Sequence, residues 1–152
     1  MVQNGSNLFL LFRIGRRLCA LPIDAVVEML RPLPLQVLPD APDVVIGLAV
    51  IRGEPVPVLD LHEERPAHRT PESRLIVLRV ANRRVALGAD SVIGLRPLDH
   101  QRLGPLPALL SENAATVEAI GTLDGELLAV LSAARLVPEH VLAISDAHRV
   151  AS

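Results

Sequence analysis

The residues LIVLRVANRRVALGADSVIGL at 75–95 can be laid under FLLFRIGRRLCALPIDAVVEM at 9–29 without a gap, at an offset of 66. Arg13 then meets Arg79, Ala20 meets Ala86, Leu21 meets Leu87, Asp24 meets Asp90 and Val26 meets Val92. Further on, LDGELLAVL (123–131) falls under IRGEPVPVL (51–59) at an offset of 72, with Gly53 on Gly125, Glu54 on Glu126 and Val58-Leu59 on Val130-Leu131. Turn residues recurring in the same order point to a duplicated unit. A copy of about 65 residues is too small to be very stable alone, so the two copies are expected to pack on each other. The crevice between them is then the first place to expect a site.

The repeated unit reads as strands. LFLLFRIG (8–15) and RLCALPI (17–23) flank a glycine turn and predict a hairpin. DAVVEMLR (24–31) fits a helical turn capped by Asp24 or a third strand, and periodicity does not choose between them. PLPLQVLPDAP (32–42) is a proline-rich connection, and PDVVIG (42–47) predicts a short helix stopped by Gly47. HEERPAHRTPES (62–73) is polar and predicts an exposed loop. In the tail, Leu136, Val137, Val141, Leu142 and Ile144 fit one helical stripe, with Pro138 opening a new helix. The fold class is therefore all-β: two pseudo-repeated lobes (roughly 9–61 and 75–133) within one unit spanning 8–145, with flexible ends at 1–7 and 146–152.

Composition narrows the function. Half of the chain is apolar, but only Phe9 and Phe12 are aromatic, so the core must be aliphatic. The basic residues are all arginines, scattered among acids to a net charge of −2, which gives no field for nucleic acid or anionic lipid. No apolar run approaches the roughly 20 residues of a membrane helix, and MVQNGSN lacks the features of a signal peptide, so a soluble cytoplasmic protein is expected.

Catalytic patterns are missing. His62 and His68 have no partners at zinc-ligand spacing and read as solvated loop residues. His100, His140 and His148 are isolated, and Ser91, Ser111 and Ser132 lack a nucleophile elbow. Cys19 reads as a buried small hydrophobe. Asp124-Gly125 has Arg52-Gly53 as its repeat counterpart, so no aspartate pair exists, and the absence of lysine removes a phosphate-binding P-loop. No enzyme, cofactor or metal is expected; a small-ligand or enzymatic barrel lacks the polar groups it would need. The chain reads as a binding module.

The string VVEML…LPDAPDVVIGLAVIRGEPVPVLDL resembles the CheW family, the coupling proteins of bacterial chemosensory arrays. Val26 and Glu28 fit the family's first motif, Gly47 its second, and Arg52, Gly53, Pro57, Asp60 and Leu61 its last. VALGADSV, with Asp90-Ser91-Val92, and IGTLDGELLAVLSAARLV are similar to its second half. The likeness runs from about Leu8 to Val137. Val50 and Ile51 depart from it where the family usually has Asn and Leu, and Ser132 or its neighbours lie where it usually has Asp.

The resemblance implies two five-stranded, SH3-like barrels with an interlobe hydrophobic groove and no enzymatic activity. It implies three partners: the regulatory CheW-like domain of the histidine kinase CheA, the cytoplasmic tip of methyl-accepting chemoreceptors, and other copies of the coupling protein in array rings. It also puts Arg52 at the partner interface, with Glu28, Val26, Gly47, Gly53 and Ile51 around it and Leu75, Ala86 and Leu95 as further candidates. The alternative is a scaffold of a non-chemotactic pathway, or an array cap that leaves the kinase inactive. Separately, Pro55 and Pro57 are two apart and remove donors from one side of their strand, which predicts a protected edge strand.

Overall fold

A computed structural model describes residues 7–62, 69–105 and 116–136. The tails, the tail helix from residue 137 onward and most of the polar loop lie outside the described residues. The described residues form ten strands: β1 (Leu8–Ile14), β2 (Arg17–Pro22), β3 (Val26–Leu30), β4 (Val45–Ile51), β5 (Glu54–Leu59), β6 (Arg74–Val80), β7 (Arg83–Ala89), β8 (Ser91–Pro97), β9 (Val117–Leu123) and β10 (Glu126–Leu131). A single turn of α-helix, α1 (Ala133–Leu136), follows. Both readings of residues 24–31 hold in part, because Ile23–Ala25 is a 3-10 turn that leads into β3.

Two five-stranded sheets result, in the orders β8-β1-β2-β10-β9 and β3-β6-β7-β5-β4. The repeat maps one order onto the other strand for strand, with β1 on β6, β2 on β7, β3 on β8, β4 on β9 and β5 on β10. Each copy of the repeat is nevertheless divided between the sheets. The first copy gives β1 and β2 to one sheet and β3, β4 and β5 to the other; the second copy does the reverse. The expectation that each copy builds its own lobe is corrected here. The duplication is real in sequence, but the copies exchange strands after their first hairpin.

Each sheet curls so that its outermost strands approach. The connector after β3 bonds to β4 at Gln36 and Leu48, and the connector after β8 bonds to β9 at Gly104 and Ile120. Leu48 and Ile120 are repeat equivalents, so both barrels close in the same way.

Alternation along the strands produces three cores. Phe9 and Leu11 of β1 and Leu18 and Ala20 of β2 fill one barrel. Leu75 and Val77 of β6 and Ala86 of β7 fill the other. The intervening residues (Leu10, Phe12 and Ile14 on β1; Ile76, Leu78 and Val80 on β6) face a third, shared core between the sheets. Central strands are therefore buried on both faces, which explains near-continuous apolar runs such as LFLLF. Leu136 of α1 also enters the shared core.

Two local expectations fail. Residues 42–47 form no helix: Gly47 is a buried strand residue beside a bulge, where an added Cβ would lie 2.8 Å from the Gln36 carbonyl oxygen. The glycine permits the connector's close approach instead of stopping a helix. β5 is also not an edge strand, because it lies between β4 and β7. Its prolines do remove donors from one side. Glu54 and Val56 oppose Ile51 and Ala49 in the hydrogen-bonded positions of the β4 hairpin, so the Pro55 and Pro57 nitrogens face β7. There β5 pairs only beyond the prolines, at Val58–Ala86 and Leu59–Leu87.

Candidate partner-binding site

The four-residue connection Ile51-Arg52-Gly53-Glu54 is a two-residue hairpin with φ of +52° at Arg52 and +82° at Gly53. Both signs are those of a type I′ turn, which favours Asn, Asp or Gly at the first position. A larger L-residue there costs roughly 1 kcal/mol. The counterpart turn has Asp124 at +53° and Gly125 at +80°, which is the preferred chemistry. Arg52 is therefore not the residue the turn selects.

The guanidinium is held. Its Nε donates to Glu28 Oε2 at 2.8 Å and its Nη2 to Glu28 Oε1 at 2.9 Å, a bidentate fork across the seam where β3 approaches the β4–β5 turn. Arg52 is 67% exposed and Glu28 only 18%. The Arg52 hydrogen bonds hold the Glu28 carboxyl below its ordinary 4.5, against a smaller opposing effect of burial. The opposite barrel carries the reversed arrangement: Asp124 on the turn lies 3.9 Å from Arg96 on β8, with both side chains well exposed.

The remaining candidates separate by depth. Ile51, Leu75 and Ala86 are buried in the barrel core and present no side chain to a partner. Gly47 is likewise inside, and Gly53 is an exposed turn residue. Val26 packs on the shared core and Val27 on the barrel core, as alternation along β3 directs. Leu95 is 52% exposed on β8. Ile93, two residues earlier, and Met29, the repeat equivalent of Leu95, are also exposed apolar residues. Sequence reading missed these two; the offset of 66 was the signal that would have paired Met29 with Leu95. Of the candidates, Arg52, Glu28 and Gly53 lie together at the turn, while the edge strand of the other sheet exposes Ile93 and Leu95.

His62 departs from the reading of it as a solvated loop residue. It is mostly buried, with Nδ1 2.5 Å from Asp60 Oδ1 and Nε2 2.8 Å from Asp90 Oδ2. Among the described residues no group of His, Cys, Asp and Glu is arranged to hold a metal, and no helix is long and apolar enough to cross a membrane.

The sequence profile of the CheW-like domain matches residues 8–141. Protein FrzA of Myxococcus xanthus is 33% identical over 119 residues, covering 76% of this chain and 73% of that protein. Chemotaxis protein CheW of Rhizobium meliloti (strain 1021) is 24% identical over 141 residues, covering 90% and 91%. The crystal structure of the scaffolding protein TtCheW from Thermoanaerobacter tengcongensis superposes with a TM-score of 0.80 at 22% identity, over 91% of this chain and 92% of that one. With the exchanged two-barrel fold and a match along nearly its whole length, the chain belongs to the CheW family.

Proposed function

We propose that the chain is a non-catalytic adaptor that couples methyl-accepting chemoreceptors to the histidine kinase CheA, on the cytoplasmic side of membrane-associated arrays. One observation carries this reading: Arg52 occupies a turn position that favours other residues, and it is pre-oriented there by Glu28. Glu28 engages Nε and Nη2, and no described residue bonds Nη1. The outer edge of the guanidinium can then take a partner carboxylate end-on while the inner edge stays fixed, with less ordering entropy lost on binding. Glu28 serves as the positioning residue and Gly53 gives the turn its shape. Because the middle of the interlobe space is a packed core, the hydrophobic contact surface lies at its margin, with Leu95 exposed on an edge strand and Val26 packed on the shared core. The kinase's CheW-like regulatory domain is the proposed partner at this face, and array rings would bring in further copies of the family.

Pull-down with the CheA regulatory domain, followed by reconstitution with receptor, tests the reading. Arg52→Glu is expected to weaken receptor binding or kinase activation while leaving Tm within a few degrees. Glu28→Gln keeps the Arg52 charge but frees its orientation, and should give a smaller loss of the same kind. Kinase binding without activation would favour the array-cap alternative. Severe unfolding of Arg52→Glu would make the arginine structural. Binding of neither partner at tens of micromolar would sink the adaptor reading.

A further inference from the structure

The Asp60–His62–Asp90 cluster lies away from Arg52 and stitches the two sheets together. Asp60 and His62 follow β5 of one sheet, and Asp90 lies in the link where the chain crosses from β7 to β8 of the other. Asp90 Oδ2 also accepts the Gly15 N–H, from the β1–β2 turn, at 2.5 Å. The Asp90 N–H donates to the Arg13 carbonyl at 2.8 Å. Arg17, at the start of β2, donates from Nη2 to the Leu61 carbonyl at 2.8 Å. Asp60 Oδ1 accepts the His62 backbone N–H at 2.9 Å as well as the ring contact. The charged groups around the imidazole are thus Asp60, Asp90 and Arg17, the last engaged with a carbonyl.

The donor count ties the doubly bonded ring to one protonation state. An ionised carboxylate only accepts, and each ring nitrogen of His62 lies within hydrogen-bond distance of one. Both nitrogens must therefore donate, which only the imidazolium can do. A neutral ring can serve one carboxylate and must present a lone pair to the other. The contact with Asp60 is shorter and reinforced by the backbone N–H, so Asp90 is the one released.

We propose that His62 is a protonation-dependent clamp that fastens the exit of β5 to the opposite sheet and lets go of Asp90 when the ring deprotonates. Burial of the ring by itself would lower its pKa; the hydrogen bonds and charges of Asp60 and Asp90 together outweigh this and leave it raised above the ordinary 6.5. The sign follows. Stabilisation by the clamp is fully present below pH 6.5 and is lost as pH rises through the folded-state value.

The test uses the full chain. The His62 ring resonance, assigned by its absence from His62→Gln, is followed against pH by NMR and should titrate above 6.5. Over the same range the Gly15 amide should lose exchange protection beyond the intrinsic base-catalysed rise. In denaturant, His62→Gln should show a lower unfolding midpoint than wild type at pH 6, and the gap should narrow by pH 9. Asp90→Asn should move the ring's titration back toward 6.5 and abolish the pH dependence at Gly15. A His62 titration at or below 6.5, or a His62→Gln gap of equal size at pH 6 and pH 9, overturns the proposal.

Discussion

The two barrels share a backbone plan and differ in what each puts on it. At one turn Arg52 takes a conformation that suits it poorly and is fixed by the shielded Glu28; at the other, Asp124 suits the turn and meets Arg96 loosely in solvent. In one barrel prolines limit the parallel pairing of β5 and β7. In the other, Leu127 and Ala129 stand in their places, and pairing with β2 extends to Leu128–Leu18 and Ala129–Cys19. The difference teaches that the two barrels share one strand order while the chemistry at this end differs between them. Arg52 is a feature that the shared turn geometry does not require.

The largest expected effect breaks this comparison at the prolines. Ala129 is in a non-hydrogen-bonded position opposite Ile120, so its N–H faces β2. Ala129→Pro should cost about 3 kcal/mol by removing that ladder bond. Pro57→Ala, its mirror in the other barrel, should change stability by less than about 1 kcal/mol, because β7 pairing begins only at Val58. Urea unfolding of both variants measures the asymmetry; equal costs would mean the proline side of β5 is paired after all.

A second, smaller effect concerns the connectors. An alanine Cβ at Gly47 would lie 2.8 Å from the Gln36 oxygen, and one at Gly121 would lie 2.8 Å from the Arg102 oxygen and 2.7 Å from a Leu103 methyl. Each alanine variant should lose about 1–3 kcal/mol. The loss should be greater at Gly47, where the Gln36 backbone and the Leu35 Cβ both crowd the position and φ is also positive.

The smallest effects are at the turns themselves. Asp124→Asn should alter stability by no more than about 0.5 kcal/mol, since its ion pair is long and exposed. Arg52→Asn relieves the turn and loses the fork, so Tm should move only a few degrees. Carboxyl NMR sharpens the point. Glu28 should titrate below 4.5 in the wild type and return toward it in Arg52→Asn. With its folded-state pKa depressed, Glu28 contributes stability above 4.5, and that contribution disappears as acid protonates it through the lower folded value.

Much of this was legible in the sequence. The offsets of 66 and 72 gave the strands and their equivalences, because turn residues and apolar alternation are local properties. The exchange of strands between copies was not legible, since neither offset says which hairpin pairs with which. The spacing of Pro55 and Pro57 correctly named the side of β5 lacking donors, but the extent of a neighbouring strand is a tertiary fact. Arg52 and Glu28 were both singled out, 24 residues apart, without being paired; barrel closure brings them together. His62 was hidden by the polarity of its loop, and its cross-sheet partner Asp90 is 28 residues away.

The strand exchange also sets the order in which this protein can be made. β3 to β7 run without interruption from Val26 to Ala89, so that barrel is complete once the ribosome has released it. The hairpin of β1 and β2 emerges first, yet its partner β10 follows roughly a hundred residues later, and synthesis proceeds at about 5–20 residues per second. For those seconds two strands that are apolar on both faces wait without their neighbour. The chain's most exposed interval is thus in its birth, while residues 8 to 22 await β10.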